Sequence, residues 1–381
     1  MIAQIPSYHG FNVTLQVTEA CNLQCAYCYE IHKRPRNLPF EYAQKFIDLI
    51  LTDNDPVGVR GTHMEWLLKQ GLVIDFIGGD ALMRPDFCDK VLQYFQYKAY
   101  TLNHPWKNRW RCSISTNGTF FGDAEVRRFL EKYHKNISLG VSVDGCPEIH
   151  NKNRSNSMDK ILRHWDYYLW YAGEYANTKA TLNKDSIPWI AKSIRYLHEE
   201  LKLKHINMNF IFEDMHLVEE DYQEIEKQFE ETIEYILEHR DDLHVNMFSK
   251  TFGIGGPCTP EMLEKGWCGA GAMPCLTVNG KIYPCFRFVP NTMHSDFYDF
   301  YCGDVWGGFT HKHRFAEIRN ANRQAISPKE CLECAIESSC AYCIGGAYAE
   351  KGMFFRQTNL CKIKHLIDKY SRLYWRAYDL L

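Results

Sequence analysis

"FNVTLQVTEACNLQCAYCYE", Phe11 to Glu30, holds the pattern from which the rest of the chain is read. Its first eight residues, "FNVTLQVT", are rich in Val, Thr and Phe and alternate in character, which predicts a β-strand. Directly after that strand come Cys21, Cys25 and Cys28, spaced Cys-x3-Cys-x2-Cys, with no fourth cysteine nearby. Structural iron and zinc sites usually take four protein ligands, whereas catalytic metal sites keep one position open. Three thiolates at the end of a strand therefore suit a cluster with one iron left for a ligand. His32, four residues beyond Cys28, keeps a zinc knuckle open as the alternative.

Reading outward, strand-like segments recur at "VIDFIGG" (73–79), "RCSISTNG" (111–118), "ISLGVSVDG" (137–145), "TKATLNK" (178–184) and "HINMNFIFE" (205–213). Helical patterns lie between them. "FEYAQKFIDLIL" puts Phe40, Ala43, Ile47 and Ile50 on one face, and "IPWIAKSIRYLHEEL" and "EEDYQEIEKQFEETIEYILEHR" are longer. Six strand–helix units in series predict a parallel sheet, and six units instead of eight predict a partial, open (β/α)6 TIM-like barrel. In such barrels the chemistry sits at the C-terminal ends of the strands. The expected division is a barrel over 1–240, a bridging segment over 241–257, and a cysteine-rich domain over 258–381 that closes with a helix, "IKHLIDKYSRLYWRAYDLL".

Composition excludes other classes. The 381 residues carry a net charge of −3 with no basic bias, which argues against a nucleic-acid binder held by phosphates. "MIAQIPSYHG" lacks the regions of a secretory signal, and no apolar run has the length of a membrane span. The expected compartment is the cytoplasm. Sixteen cysteines there point to metal or cofactor ligands instead of disulfides. Cys88, Cys112 and Cys146 stand apart from the clusters and are read as small core residues.

The cysteine spacing, with Tyr27 just before the third thiol, resembles the radical S-adenosylmethionine superfamily. The resemblance implies a [4Fe–4S] cluster on Cys21, Cys25 and Cys28 whose open iron binds S-adenosylmethionine. It further implies cleavage to a 5′-deoxyadenosyl radical that abstracts a substrate hydrogen. "GGD" (Gly78, Gly79, Asp80) resembles the family's Gly-Gly-Glu stretch at the cosubstrate amino group, with an acid one methylene shorter. Ser115 and Asn117 in "STNGT", and Ser142 and Asp144 in "SVDG", resemble its ribose- and carboxylate-contacting positions. "IHNKNR" ends in Arg154, which matches the carboxylate-binding Arg of related maturases. Taken singly, Asn-Gly and Asp-Gly are ordinary turn formers.

The C-terminal cysteines resemble the SPASM extension of these enzymes. Cys268 is followed by Gly280 and Cys285, then Cys331, Cys334, Cys340, Cys343 and finally Cys361. Cys340 and Cys343 are separated by two residues where the family has three. The resemblance implies two more [4Fe–4S] clusters, a distal one on Cys331, Cys334, Cys340 and Cys361 and a nearer one on Cys268, Cys285 and Cys343. Cys258 is the chosen fourth ligand of the nearer cluster and Cys275 its rival. A zinc ribbon is the alternative for "CLEC…CAYC".

The function this implies is a radical peptide maturase that crosslinks a ribosomally made precursor. Its closest resemblance is to maturases of cysteine-containing repeat peptides, which form thioethers, with Asn209 and Glu213 as candidate substrate contacts. Carbon–carbon or carbon–oxygen crosslinking is the sister chemistry. The runner-up is an anaerobic sulfatase-maturing enzyme, but that family carries an Asp after the "YPC" cysteine, thought to be its general base. Here Phe286 follows and cannot accept a proton. An iron–sulfur electron carrier is the third reading, and it would have no use for "GGD". Expected partners are the precursor peptide and an electron donor such as a ferredoxin or flavodoxin. The leader is expected to bind a separate protein, the barrel surface or the Asp53–Leu72 connection, since about ten residues precede the first strand. Within that connection "GVRGTHMEWLLKQ" is a candidate amphipathic helix.

Overall fold

The computed structural model describes residues 10–58, 68–294 and 296–380. Most of the candidate helix in the Asp53–Leu72 connection lies outside these residues. The expected strands form as β1 (Phe11–Thr18), β2 (Leu72–Gly78), β3 (Trp110–Thr116), β4 (Ile137–Val141), β5 (Asn177–Leu182) and β6 (His205–Phe210). They pair in parallel in sequence order, so the partial (β/α) barrel expected from the six units is the architecture found. Phe11, Val13, Leu15 and Val17 of β1 are buried on one face, while Asn12, Thr14, Gln16 and Thr18 occupy the other. The same alternation puts Asp75, Ser113, Ser115 and Lys179 on the inner wall, so this barrel has a polar lumen.

Helices cover the outside. In α1 (Phe40–Thr52), Ala43, Phe46, Ile47, Ile50 and Leu51 form the buried stripe. β4 stops at Val141, earlier than its sequence pattern suggests. Only Val141 and Thr178 are in register between β4 and β5. Thr178 closes the gap instead. Its hydroxyl donates to the Val143 carbonyl at 2.7 Å and accepts from the Val143 amide at 3.2 Å.

The cysteine-rich segment continues the same sheet. β7 (His244–Val245) adds to β6, and β8 (Cys275–Leu276) pairs in parallel with the other edge of β1, followed by antiparallel β9 (Lys281–Tyr283) and β10 (Gly303–Asp304). The closing helix, here α3 (Cys361–Leu380), packs on α2 (Glu219–Glu238). Phe229 and Tyr370 meet edge to face at 5.8 Å, and the Tyr370 hydroxyl donates to Glu230 at 2.8 Å. The cysteine-rich half is thereby joined to the barrel at the β1 edge of the sheet and through the α2–α3 contact. Among the described residues no helix is long and apolar enough to cross a membrane.

Candidate active site at the strand ends

Cys21, Cys25 and Cys28 lie in the loop that leaves β1, each partly exposed. Gly78 and Gly79 explain why this loop can sit where it does. Gly78 has φ +133°, and a Cβ there would lie 1.9 Å from the Thr18 carbonyl oxygen. A Cβ on Gly79 would lie 2.0 Å from the Ala20 carbonyl oxygen and 2.7 Å from Cys21 Cβ. The glycines therefore let the end of β2 pass against the cysteine loop itself.

Asp80 is buried and its carboxylate is occupied. It accepts from the amides of Leu82 (3.0 Å) and Asn117 (2.8 Å) and from the Thr116 hydroxyl (2.9 and 3.1 Å). These bonds tie the end of β2 to the end of β3. Burial raises its pKa, against the pull of those donors. Asn117 reaches back to the loop, donating to Asn22 Oδ1 at 2.8 Å and lying 4.0 Å from Cys21 Sγ. Ser115 faces the lumen, opposite the outward Ile114, and Ser142 donates its amide to the Thr116 carbonyl at 2.9 Å.

Asp144, just past the end of β4, is fully buried and gathers three donors. Tyr27 donates to it at 2.5 Å, Arg154 Nε at 3.0 Å and the Thr181 amide at 3.1 Å. Behind it, the Asp144 amide donates to His150 Nδ1 at 3.2 Å, and His150 Nε2 lies 2.9 Å from Ser157 Oγ. Burial pushes the His150 imidazole down to about 4, so its ring stays neutral and keeps Nδ1 as an acceptor. Arg154 lies over the Tyr27 ring and brings Nη1 to 3.8 Å from Cys25 Sγ. On the other side of the loop, burial works against the Lys33 charge, yet the Cys28 and Cys21 thiols hold its ammonium above the ordinary range. Two cations thus face three thiols, which fits thiolates bound to an anionic iron–sulfur cluster.

The other cysteines gather in two sets. Cys268, Cys285 and Cys343 are close enough for their charges to interact, and so are Cys331, Cys334, Cys340 and Cys361. Of the two rivals for a fourth nearer ligand, Cys258 is within electrostatic reach of Cys340 and Cys275 of Cys285. Among the described residues no three His, Cys, Asp or Glu side chains converge tightly enough to hold a single metal ion. Cys88, Cys112 and Cys146 are buried, as core residues should be.

Glu213 and Asn209 sit at the β6 end. Asn209 is exposed and accepts from Asn246 at 3.4 Å. Glu213 is half-exposed and pairs with Arg287 at 2.6 Å. Arg287 also lies over the Tyr29 ring at 4.7 Å, and Tyr29 meets Phe286 at 5.5 Å. Arg287 thus joins the β6 end, the first cysteine loop and the nearer cysteine set. Sequence reading misses Arg287, Lys33 and His150. Only the closeness of Lys33 to Cys28 and of Arg287 to Cys285 along the chain could flag two of them.

Residues 15–169 match the Radical SAM superfamily. The serine-type anaerobic sulfatase-maturating enzyme of Bacteroides thetaiotaomicron is 32% identical over 152 residues, 38% of this chain and 31% of that protein. The fold is similar to that of anSMEcpe with bound AdoMet and Cp18Cys peptide, with a TM-score of 0.66 and 16% identity, covering 97% of this chain and 99% of that one. It is also similar to Streptococcus suis SuiB bound to precursor peptide SuiA, with a TM-score of 0.59 and 14% identity, covering 93% and 76% of the two chains. The chain spans 58% and 31% of the lengths of the first two curated relatives it matches.

Proposed function

We propose, from the match of residues 15–169 to the Radical SAM superfamily, that this protein is a peptide maturase that crosslinks a ribosomally made precursor, joining a Cys sulfur to a carbon of another residue. The observation that carries the reading is the three-thiol loop at the end of β1, faced by Arg154 and Lys33 and walled by Asp80, Asn117 and Asp144. Cys21, Cys25 and Cys28 would hold a [4Fe–4S] cluster, which with bound S-adenosylmethionine would supply radical hydrogen abstraction. The chain's own residues do the rest. Arg154, fixed by Asp144 and Tyr27, presents a guanidinium fork suited to a carboxylate. Asp80 holds the ends of β2 and β3 in register beside the cosubstrate. Ser115 and Ser142 offer polar groups from the inner wall. The polar lumen and the β6 end, with Asn209 and Glu213, form the floor and rim over which a peptide would lie.

A peptide substrate is supported by the structural neighbours, which hold a Cp18Cys peptide and the precursor SuiA. The proposed further cofactors are two auxiliary [4Fe–4S] clusters, the nearer on Cys258, Cys268, Cys285 and Cys343 and the distal on Cys331, Cys334, Cys340 and Cys361. Iron counts in Cys258→Ser and Cys275→Ser separate the rivals, since only the ligand's loss should lower the count. A ferredoxin or flavodoxin would supply the electron, and a separate protein or the barrel surface would hold the leader.

Formylglycine formation is the second reading. It is supported by the similarity to the serine-type anaerobic sulfatase-maturating enzyme over 152 residues. Mass spectrometry of a Cys-containing precursor after turnover separates the two. A thioether loses two hydrogens per link and its cysteines resist alkylation. Conversion of Cys to an aldehyde would replace the crosslinking reading with formylglycine formation. Two hydrogens lost with cysteines still alkylatable would place the link between other atoms.

A further inference from the structure

Three charged side chains that the reading above leaves unused are buried together beside the distal cysteine set. Glu337 is 1% exposed, Arg323 4% and Arg356 4%. Arg356 Nη2 donates to Glu337 Oε2 at 2.9 Å and to the Cys340 carbonyl at 3.1 Å. Arg323 Nε lies 3.3 Å from Glu337 Oε1, without the alignment of a hydrogen bond. Arg356 stacks over Tyr342 at 4.1 Å and Arg323 over Trp267 at 5.3 Å, so aromatic faces close the group off.

Two guanidiniums against one carboxylate leave an excess positive charge out of water. A guanidinium does not shed its proton in a protein, so the charge cannot be relieved by titration. Arg356 Nε and Nη1 are also buried with no hydrogen-bond acceptor. An unpaired buried donor on a charged group is costly, and a buried excess charge more so, unless an anion completes the site. The groups in reach are the cysteines: Cys340 acts on Arg356, and Arg356 and Glu337 act on Cys331, Cys361 and Cys258. The loop carrying Cys258 is stitched to this spot by Gly256, whose carbonyl and amide both bond Ser338.

Resting on the distal-cluster assignment above, we propose that the Arg323–Glu337–Arg356 group is the built-in counter-charge of that cluster, with Arg356, fixed on the Cys340 carbonyl and carrying two unpaired donors, supplying the excess positive charge beside it. Four thiolates around a dicationic core carry net negative charge, and one-electron reduction adds to it. A fixed adjacent guanidinium stabilises the reduced form more than the oxidised one and raises the cluster's potential. Glu337 acts as a positioning residue that holds both guanidiniums in place.

The test is a redox titration of the anaerobically reconstituted full-length protein, followed by electron paramagnetic resonance. Arg356→Gln should shift one auxiliary signal to lower potential and leave the others in place, and Arg356→Lys should recover part of the shift. Unmoved potentials in Arg356→Gln would overturn the proposal and leave the group as a structural tie. If Arg356→Gln fails to hold the distal irons, Arg356→Lys decides: irons regained support a charge role, and an equally iron-poor lysine variant overturns it. The underlying assignment is tested separately by Cys331→Ala with Cys334→Ala, which should remove one cluster's irons and signal. If it does not, the assignment has failed whatever the arginine variants do.

Discussion

The loop at Cys21–Cys28 and the segment from Cys331 to Cys361 both present sulfur to a metal, but they are built in opposite ways. Around the first, the two carboxylates at the strand ends are satisfied by the protein. Asp144 has Tyr27, Arg154 and the Thr181 amide, and Asp80 has four donor contacts. The strand ends hold these carboxylates in place, and Arg287, Phe286 and Asn291 of the cysteine-rich half brace the loop itself. Around the second, Arg356 and Glu337 keep buried atoms without partners, in short helices and turns with little sheet support. The difference teaches that a site can be preorganised by strand ends or can rely on its cofactor to complete it.

The largest effect should come from removing iron. In the chelated protein, hydrogen exchange should become fast over residues 331–361 and stay slow across β1–β6. Equal protection of both regions in the iron-free protein would break the comparison. A smaller but still large effect is expected from Arg154→Ala, which leaves the fully buried Asp144 without its cation. Breaking a buried pair costs about 3–5 kcal/mol, so chemical denaturation should show a loss of that order along with weakened S-adenosylmethionine binding. A loss well under 1 kcal/mol would mean that water reaches Asp144 freely.

The third effect depends on pH. The folded His150 pKa lies at about 4, below its unfolded value near 6.5, so the unfolded chain binds the extra proton between these values. The stability is therefore fully present above about pH 6.5 and falls as pH drops toward 4, by up to about 3 kcal/mol. His150→Gln should flatten that part of the stability–pH profile. An unchanged slope would show that other groups set it. The smallest effect is expected at Asp80. Asp80→Ala leaves the Asn117 and Leu82 amides without their acceptor, at a cost of about 1–3 kcal/mol. Its loss of cosubstrate binding should track that destabilisation. Intact stability with lost binding would instead make Asp80 a direct contact to the cosubstrate.

Much of the barrel site is legible in the sequence alone. Asp80, Asn117 and Asp144 each follow a strand within a short distance, and strand periodicity places such positions at one end of a parallel sheet, whereas Arg154 follows a helix and is legible through the resemblance of "IHNKNR". Their partners are less legible. "GGD" suggests close approach to a ligand, whereas Gly78 and Gly79 are needed where β2 crosses the Thr18–Cys21 backbone. Asp80 reads as an acceptor for a ligand, and its carboxylate binds Thr116 and Asn117. His150 draws no notice inside "IHNKNR", since nothing in that stretch shows that its ring backs the Asp144 amide.

By itself the sequence determined what short-range spacing can encode. Three thiols within eight residues must share one loop, and alternation over eight residues must make β1 two-faced, because covalent geometry fixes both. Tertiary structure alone decided the long-range pairings: β8 against β1, Arg287 with Glu213, and Arg323 and Arg356 around Glu337. An arginine has the same letter whether water or a buried sulfur faces it. Only packing removes the water, and desolvation is what turns an ordinary charge into one that needs a partner.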